Sequence, residues 1–236
     1  MDHWRHFERL DKLCPGVQRA VWNLAWEGAV KIKNGKIDTG DPAAGPRAVP
    51  GTYTVKLTVD GQTFTTPLKI LPDPENVTSQ ADLDAQLAFA LRVRDDISRL
   101  TRLVNQLQSV REQLQARVKA LQPRAGEAPI AAIVAVAKTA IDRADALEAT
   151  FHNPTAEVVY DILAMRGGSR LYSRLAPLQM WATESEGPPT TGMVQVLEAQ
   201  EKELTALEAD ASLFLTRDVD ALNAEAAKAG LGFVQR

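Results

Sequence analysis

The chain has 236 residues, 45% of them hydrophobic and 24% charged, with 27 Lys and Arg against 30 Asp and Glu for a formal charge of −3. That is enough apolar material for one large domain or two small ones with a real core, and it excludes wholesale disorder. The near-neutral balance gives no global attraction to nucleic acid or to anionic membranes, the single Cys14 excludes an internal disulfide and any multi-cysteine metal centre, and no apolar run approaches the roughly 18–20 residues of a membrane span.

The first residues, Met1 to His6, are polar and lack the apolar core of a secretory leader, so the expectation is a cytoplasmic chain. His3 and His6 stand three apart and share a face if this stretch is helical. They are the candidate ligands for a divalent metal, with Asp2, Glu8 or Cys14 as a third donor. The plainer reading is a terminal pair of histidines with no third partner.

Two compositions meet near residue 75. Residues 1–75 hold three of the four Trp and much of the Gly and Pro, whereas residues 76–236 are rich in Ala, Leu, Glu, Gln and Arg, which favour helix. The predicted fold class is α+β, mostly α. A β-rich domain over 1–75, a partial immunoglobulin- or fibronectin-like sandwich, precedes an elongated antiparallel helical bundle over 76–236. A strand is expected over 19–26, where Val21, Trp22, Leu24 and Trp26 are bulky. A loop is expected over 34–50, which is dense in Gly, Pro and Asp. The clearest β signal is residues 52–71. Tyr53, Val55, Leu57 and Val59 alternate with polar residues, Asp60-Gly61 suits a type I′ turn, and Phe64, Leu68 and Ile70 return on alternate positions. Three or four strands fall short of the seven or so of a complete sandwich, so the sheet needs cover from the helices or from another surface.

Ser79 is placed to cap a helix that runs without Gly or Pro until Pro123. Along it Val93, Ile97, Leu100, Val104, Leu107, Leu114, Val118 and Leu121 follow a heptad-like rhythm, with Val110 one place off. A second helix is predicted over 128–151, ended by Asn153-Pro154. A short one follows through Val158 to Leu163, and another carries Leu171 to Trp181. The last long helix covers 191–229, with Gly230 as its C′ residue.

The stretch Gly45-Pro46-Arg47-Ala48-Val49-Pro50-Gly51-Thr52-Tyr53-Thr54-Val55-Lys56-Leu57-Thr58-Val59-Asp60-Gly61-Gln62 resembles the β-domain that follows the propeller in large bacterial sortilin-like, BNR-repeat proteins, often labelled glycosyl hydrolases. Val21-Trp22-Asn23-Leu24 is similar to the strand leading into that domain, Pro72-Asp73-Pro74 to its exit, and residues 221–231 to the usual end of such proteins. The resemblance implies a C-terminal portion, a β-domain plus a helical domain, without the propeller. It carries no catalytic residue onto this chain, and it implies an exported setting where the N-terminus suggests none.

For chemistry, His152, Glu157 and Asp161 gather around a helix break. A histidine with two carboxylates is suited to general acid–base work or to a metal. The plainer reading makes Glu157 and Asp161 partners of a helix terminus and of nearby arginines. Asp95 with Asp96, and Glu201 with Glu203, read as solvated faces rather than a sugar-flanking pair. Trp22, Trp26, Tyr53 and Phe64 read as a sheet core. Arg92, Arg94, Arg99, Arg102 and Arg111 alternate with acids, which argues against a nucleic-acid surface. No nucleotide loop or nucleophile elbow is present. Two functions follow: a non-catalytic assembly module, expected to be a homodimer with a free sheet edge or the long helices as interface, and a promiscuous, metal-assisted hydrolase of activated esters or glycosides.

Overall fold

A computed structural model describes residues 17, 19–75, 77–163, 168–184, 187–232 and 234–235, with Ile162 and Leu163 described by their backbone alone. The described residues are mostly helical, with one small antiparallel sheet of two strands, β1 (Gly51–Val59) and β2 (Gln62–Ile70). Asp60 and Gly61 both take positive φ, 49° and 77°, as the type I′ turn demands. The register pairs Tyr53 with Leu68 and Leu57 with Phe64, which gathers Tyr53, Val55, Leu57, Val59, Phe64 and Leu68 on one face.

The strand expected over 19–26 does not form. Within the described residues this stretch contributes a single bridge, Ala25 to Arg47. The cause is local. Leu24 sits at φ 56°, which breaks extended geometry, and the chain doubles back on itself as a close-packed strap. Trp26 N–H bonds to the Pro46 carbonyl at 2.8 Å and Ala48 N–H to the Leu24 carbonyl at 2.8 Å. Pro42 and Pro46, lacking N–H groups, cannot extend such a ladder. The strap lies on the helices. Ala29 and Ile32 are buried in the same core as the helical residues, and Val30 N–H bonds to Ser98 Oγ at 3.2 Å.

α1 (Gln80–Leu121) is 42 residues long, about 63 Å at 1.5 Å per residue. Ser79 caps it, accepting from Asp82 N–H and donating to the Asp82 carboxylate. Its seam is fully buried from Val93 through Leu107 and Val110 to Leu114. α2 (Ala128–Phe151) runs antiparallel beside its C-terminal half, since Gln108 meets Glu148 while Arg111 meets Asp145. After α3 (Val159–Leu163), α4 (Leu171–Glu184) packs against α1.

α5 (Thr191–Leu213) runs parallel to α1. Arg92 pairs with Glu201 and Arg99 with Glu208, each a separation of 109 residues. A π-helical turn at Phe214–Asp218 joins α5 to α6 (Val219–Lys228) without interrupting the rod. Gly230, at φ 69°, closes it. Leu231 N–H bonds back to the Ala226 carbonyl and Gly230 N–H to that of Ala227, a Schellman ending.

Candidate functional site

His152 follows the last residue of α2 and is 3% exposed. Its Nε2 lies 2.9 Å from Glu148 Oε1, one turn back on the same helix. Glu148, itself 2% exposed, also accepts from Gln108 Nε2 at 2.6 Å on that oxygen and from Arg111 on the other. Arg111 in turn reaches Asp145 at 2.8 Å. Burial works against the charge on Glu148. The hydrogen bonds from His152 and Gln108, with the Arg111 charge, outweigh it and hold the carboxyl below its usual range. A carboxylate kept charged and occupied on both oxygens is a tether between α1 and α2 rather than a base.

The other two residues of the expected group do different work. Asp161 turns Oδ2 onto the backbone N–H groups of Glu157 and Val158, at 3.0 and 3.2 Å, and so caps the short α3 turn. The Glu157 side chain is exposed. The partner that sequence reading missed is Glu148, although its i, i+4 spacing from His152 was visible. His3 and His6 lie outside the described residues. Among the described residues no group of three or more His, Cys, Asp or Glu is placed to hold a metal ion.

The carboxylate pairs divide. Asp95 binds Arg94 on the surface, Glu201 binds Arg92, and Glu203 binds Arg174. Asp96 departs from the solvated reading: it is 3% exposed at the seam of α1 and α5, with Oδ1 2.9 Å from Arg99. Its Oδ2 is buried without a hydrogen-bond partner among the described residues. Burial, reinforced by the charge of Glu201, raises its pKa to about 6 against the opposing Arg99 and Arg92. Arg92, Arg94, Arg99 and Arg111 are thus all engaged by carboxylates, while Arg102 is exposed.

The aromatic residues do not form one sheet core. Trp22 meets Tyr53 edge to face, ring centroids 5.7 Å apart, at the root of the hairpin, where the Tyr53 hydroxyl donates to the Val49 carbonyl at 2.7 Å. Phe64 sits far out on the sheet, in the open. Val55, Leu57, Val59 and Phe64 are between 40% and 55% exposed, and they share one face of a hairpin whose two outer edges pair with nothing among the described residues.

A concave feature lies where the end of α1 meets α2 and α6. A cavity of about 110 Å³ opens between the C-terminal part of α1, the start of α2, α6 and the segment after it, with Leu114, Ile133, Leu222, Leu231 and Val234 in its wall.

No family model matches the chain, and neither a curated protein nor a solved structure does. No described helix is long and apolar enough to cross a membrane.

Proposed function

We propose that the chain is a non-catalytic assembly module that holds protein partners together through its β-hairpin, and that in layout it corresponds to the C-terminal part of a sortilin-like protein. The observation that carries this is the exposed apolar face of Val55, Leu57, Val59 and Phe64. A two-stranded hairpin is marginal in water, and such a face with two open edges is a template for further strands. The favoured occupant is another β-element, either a second copy of this hairpin or strands of a larger partner that complete an immunoglobulin- or fibronectin-like sandwich. The long helices are the weaker choice of interface, because the seam of α1 is already covered by its own chain. Among the described residues the buried carboxylate that bonds a histidine is Glu148, and its role as a tether between α1 and α2 favours the assembly reading over hydrolysis at His152.

The test is light scattering across a concentration series for the wild type, for Val55→Lys and for Phe64→Lys. The wild type should self-associate at high micromolar concentration, and each variant should weaken association at least tenfold with unchanged helical content. A monodisperse wild-type monomer would remove the homodimer. If the variants also lost no partner in co-purification, the hairpin reading as a whole would fall.

A further inference from the structure

Beyond α6 the chain is held by side-chain amides rather than by a ladder. Asn223 of α6 donates from Nδ2 to the Val234 carbonyl at 2.9 Å and accepts the Val234 N–H on Oδ1 at 2.7 Å. Gln113 of α1 does the same for the next residue. Its Nε2 donates to the Gln235 carbonyl at 2.9 Å and its Oε1 accepts the Gln235 N–H at 2.9 Å. Each carboxamide thereby satisfies both backbone groups of one residue, as a neighbouring strand would.

The two clamps come from different helices, and that fits an extended segment. Successive residues of an extended chain turn their backbone polar groups to opposite sides, so Val234 is read from α6 and Gln235 from α1. Between the clamps the Val234 side chain is 4% exposed, inserted beside the cavity walled by Leu114, Ile133 and Leu222. A Cβ placed on Gly232 would stand 2.9 Å from the Arg117 guanidinium, so the segment runs along α1 from Arg117 towards Gln113. What this trough recognises is extended backbone at two consecutive residues and one aliphatic side chain.

We infer that the trough between α1 and α6 is a docking groove for an extended segment, occupied here in cis by Leu231, Gly232, Val234 and Gln235, and that the same stretch of a second copy takes that seat in trans. The second copy is the occupant the page supports, because the groove already holds this very sequence. Gly230 and Gly232 flank the pivot at which the segment is rerouted. Residues 230–235 reach at most about 20 Å when extended, so the two copies meet through the ends of their α6 helices. The tethered segment competes at an effective concentration of roughly a millimolar, so exchange rises as the protein approaches that concentration. The hairpin plays no part in it, so this inference and the proposed function stand or fall separately.

The experiment uses full chains in a Cys14→Ser background. Ser109 is exposed and stands one turn from Gln113, whose Nε2 lies 3.3 Å from both its carbonyl and its hydroxyl, so Ser109→Cys gives up the hydroxyl contact and keeps the backbone one together with both clamps on Val234 and Gln235. Gln235→Cys keeps the backbone that Gln113 reads. A single chain carrying both cysteines should close an intrachain link with a short bismaleimide, and failure to do so would overturn the seat itself. An equimolar mixture of Ser109→Cys chains and Gln235→Cys chains, at about a millimolar, should give a linked dimer. Its yield should be at least tenfold above that of a mixture in which Gln115→Cys, on the far side of α1, replaces Ser109→Cys. Adding Asn223→Ala to the Ser109→Cys chain should reduce the yield to that of the control. Equal yields from the Ser109 and Gln115 mixtures would overturn exchange.

Discussion

Glu148 and His152 stand one turn apart at the end of α2, joined by a 2.9 Å bond between Oε1 and Nε2 inside the protein. The bond closes a chain of polar contacts that begins on α1 at Gln108 and Arg111. Removing the imidazole with His152→Ala takes one of three donors from a buried charge. The expected loss is about 2–3 kcal/mol in urea unfolding, the scale for a hydrogen bond to a charged group. The pH dependence has a definite sign. A carboxyl held below its usual value stabilises the fold fully above the ordinary carboxylate range, and that contribution is lost as pH falls through its depressed folded value. Glu148→Gln should therefore flatten the acid limb of the stability profile below about pH 4.5. An acid limb unchanged by Glu148→Gln would remove this carboxylate as its source.

Asp96 should behave in the opposite sense. Its pKa is raised from 3.8 to about 6, so the folded state holds the proton more tightly than the unfolded one. The contribution of Asp96 to stability is then greatest below about pH 4, falls between about pH 4 and 6 and is level above that, with a total fall of about 2–3 kcal/mol. Asp96→Asn keeps the shape and has no charge to bury. At pH 7 it should be more stable than the wild type by about 2 kcal/mol, and at pH 3.5 it should match it. Paired melts at the two pH values decide the matter, and equal shifts at both would show that packing, not ionisation, sets the difference.

These two carboxylates also show where the sequence is legible and where it is not. The seam of α1 is a local pattern, and Val93, Ile97, Leu100, Val104 and Leu107 were all identifiable by spacing and are all fully buried. The same holds for Ser79 as a cap, for Asp60-Gly61 as a turn and for Gly230 as a helix end, because each signal lies within four residues. Asp96 is another matter. Beside Asp95 and between arginines it reads as a surface charge, and it is the packing of α5 beside it, with Glu201 more than a hundred residues later, that the spacing does not reveal. His152 stood out, but its network depends on Gln108, which is 44 positions away by number and adjacent only because α1 and α2 are antiparallel. The amide clamps on Val234 and Gln235 reach across 11 and 122 residues and leave no periodic trace.

In the strap over 24–48 the loop expected over 34–50 is found and the strand expected over 19–26 is not, and close backbone approach at glycines helps to set its geometry. A Cβ on Gly45 would lie 1.7 Å from the Trp26 carbonyl oxygen, and one on Gly28 would lie 2.1 Å from that of Ala43. Both neighbours are backbone and cannot step aside. Gly45→Ala and Gly28→Ala should each force the strap apart and cost at least about 2 kcal/mol, in the range of overpacked sites. Gly126, which would meet nothing within 4 Å, supplies the contrast. Gly126→Ala should be neutral or slightly stabilising. Thermal melts of the three variants test the difference, and three similar melting temperatures would show that the strap contributes little to the fold.

The last prediction separates the hairpin from the body. Within β1 and β2 no residue is fully buried, and none belongs to the core that runs through the helices. Gly61 sits at φ 77° with open space around it, so Gly61→Ala meets backbone strain alone, about 1–2 kcal/mol against a left-handed conformation. That strain falls on the turn that aligns Leu57 with Phe64. The helical melt, followed by circular dichroism, should be unchanged within about a degree, because the destabilised element shares no core with the helices. Association measured by light scattering should weaken, because the apolar face is presented only while the strands stay in register. A lowered helical melting temperature would show that the hairpin is folded into the body more tightly than its contacts indicate. Unchanged association would move the interface away from the sheet.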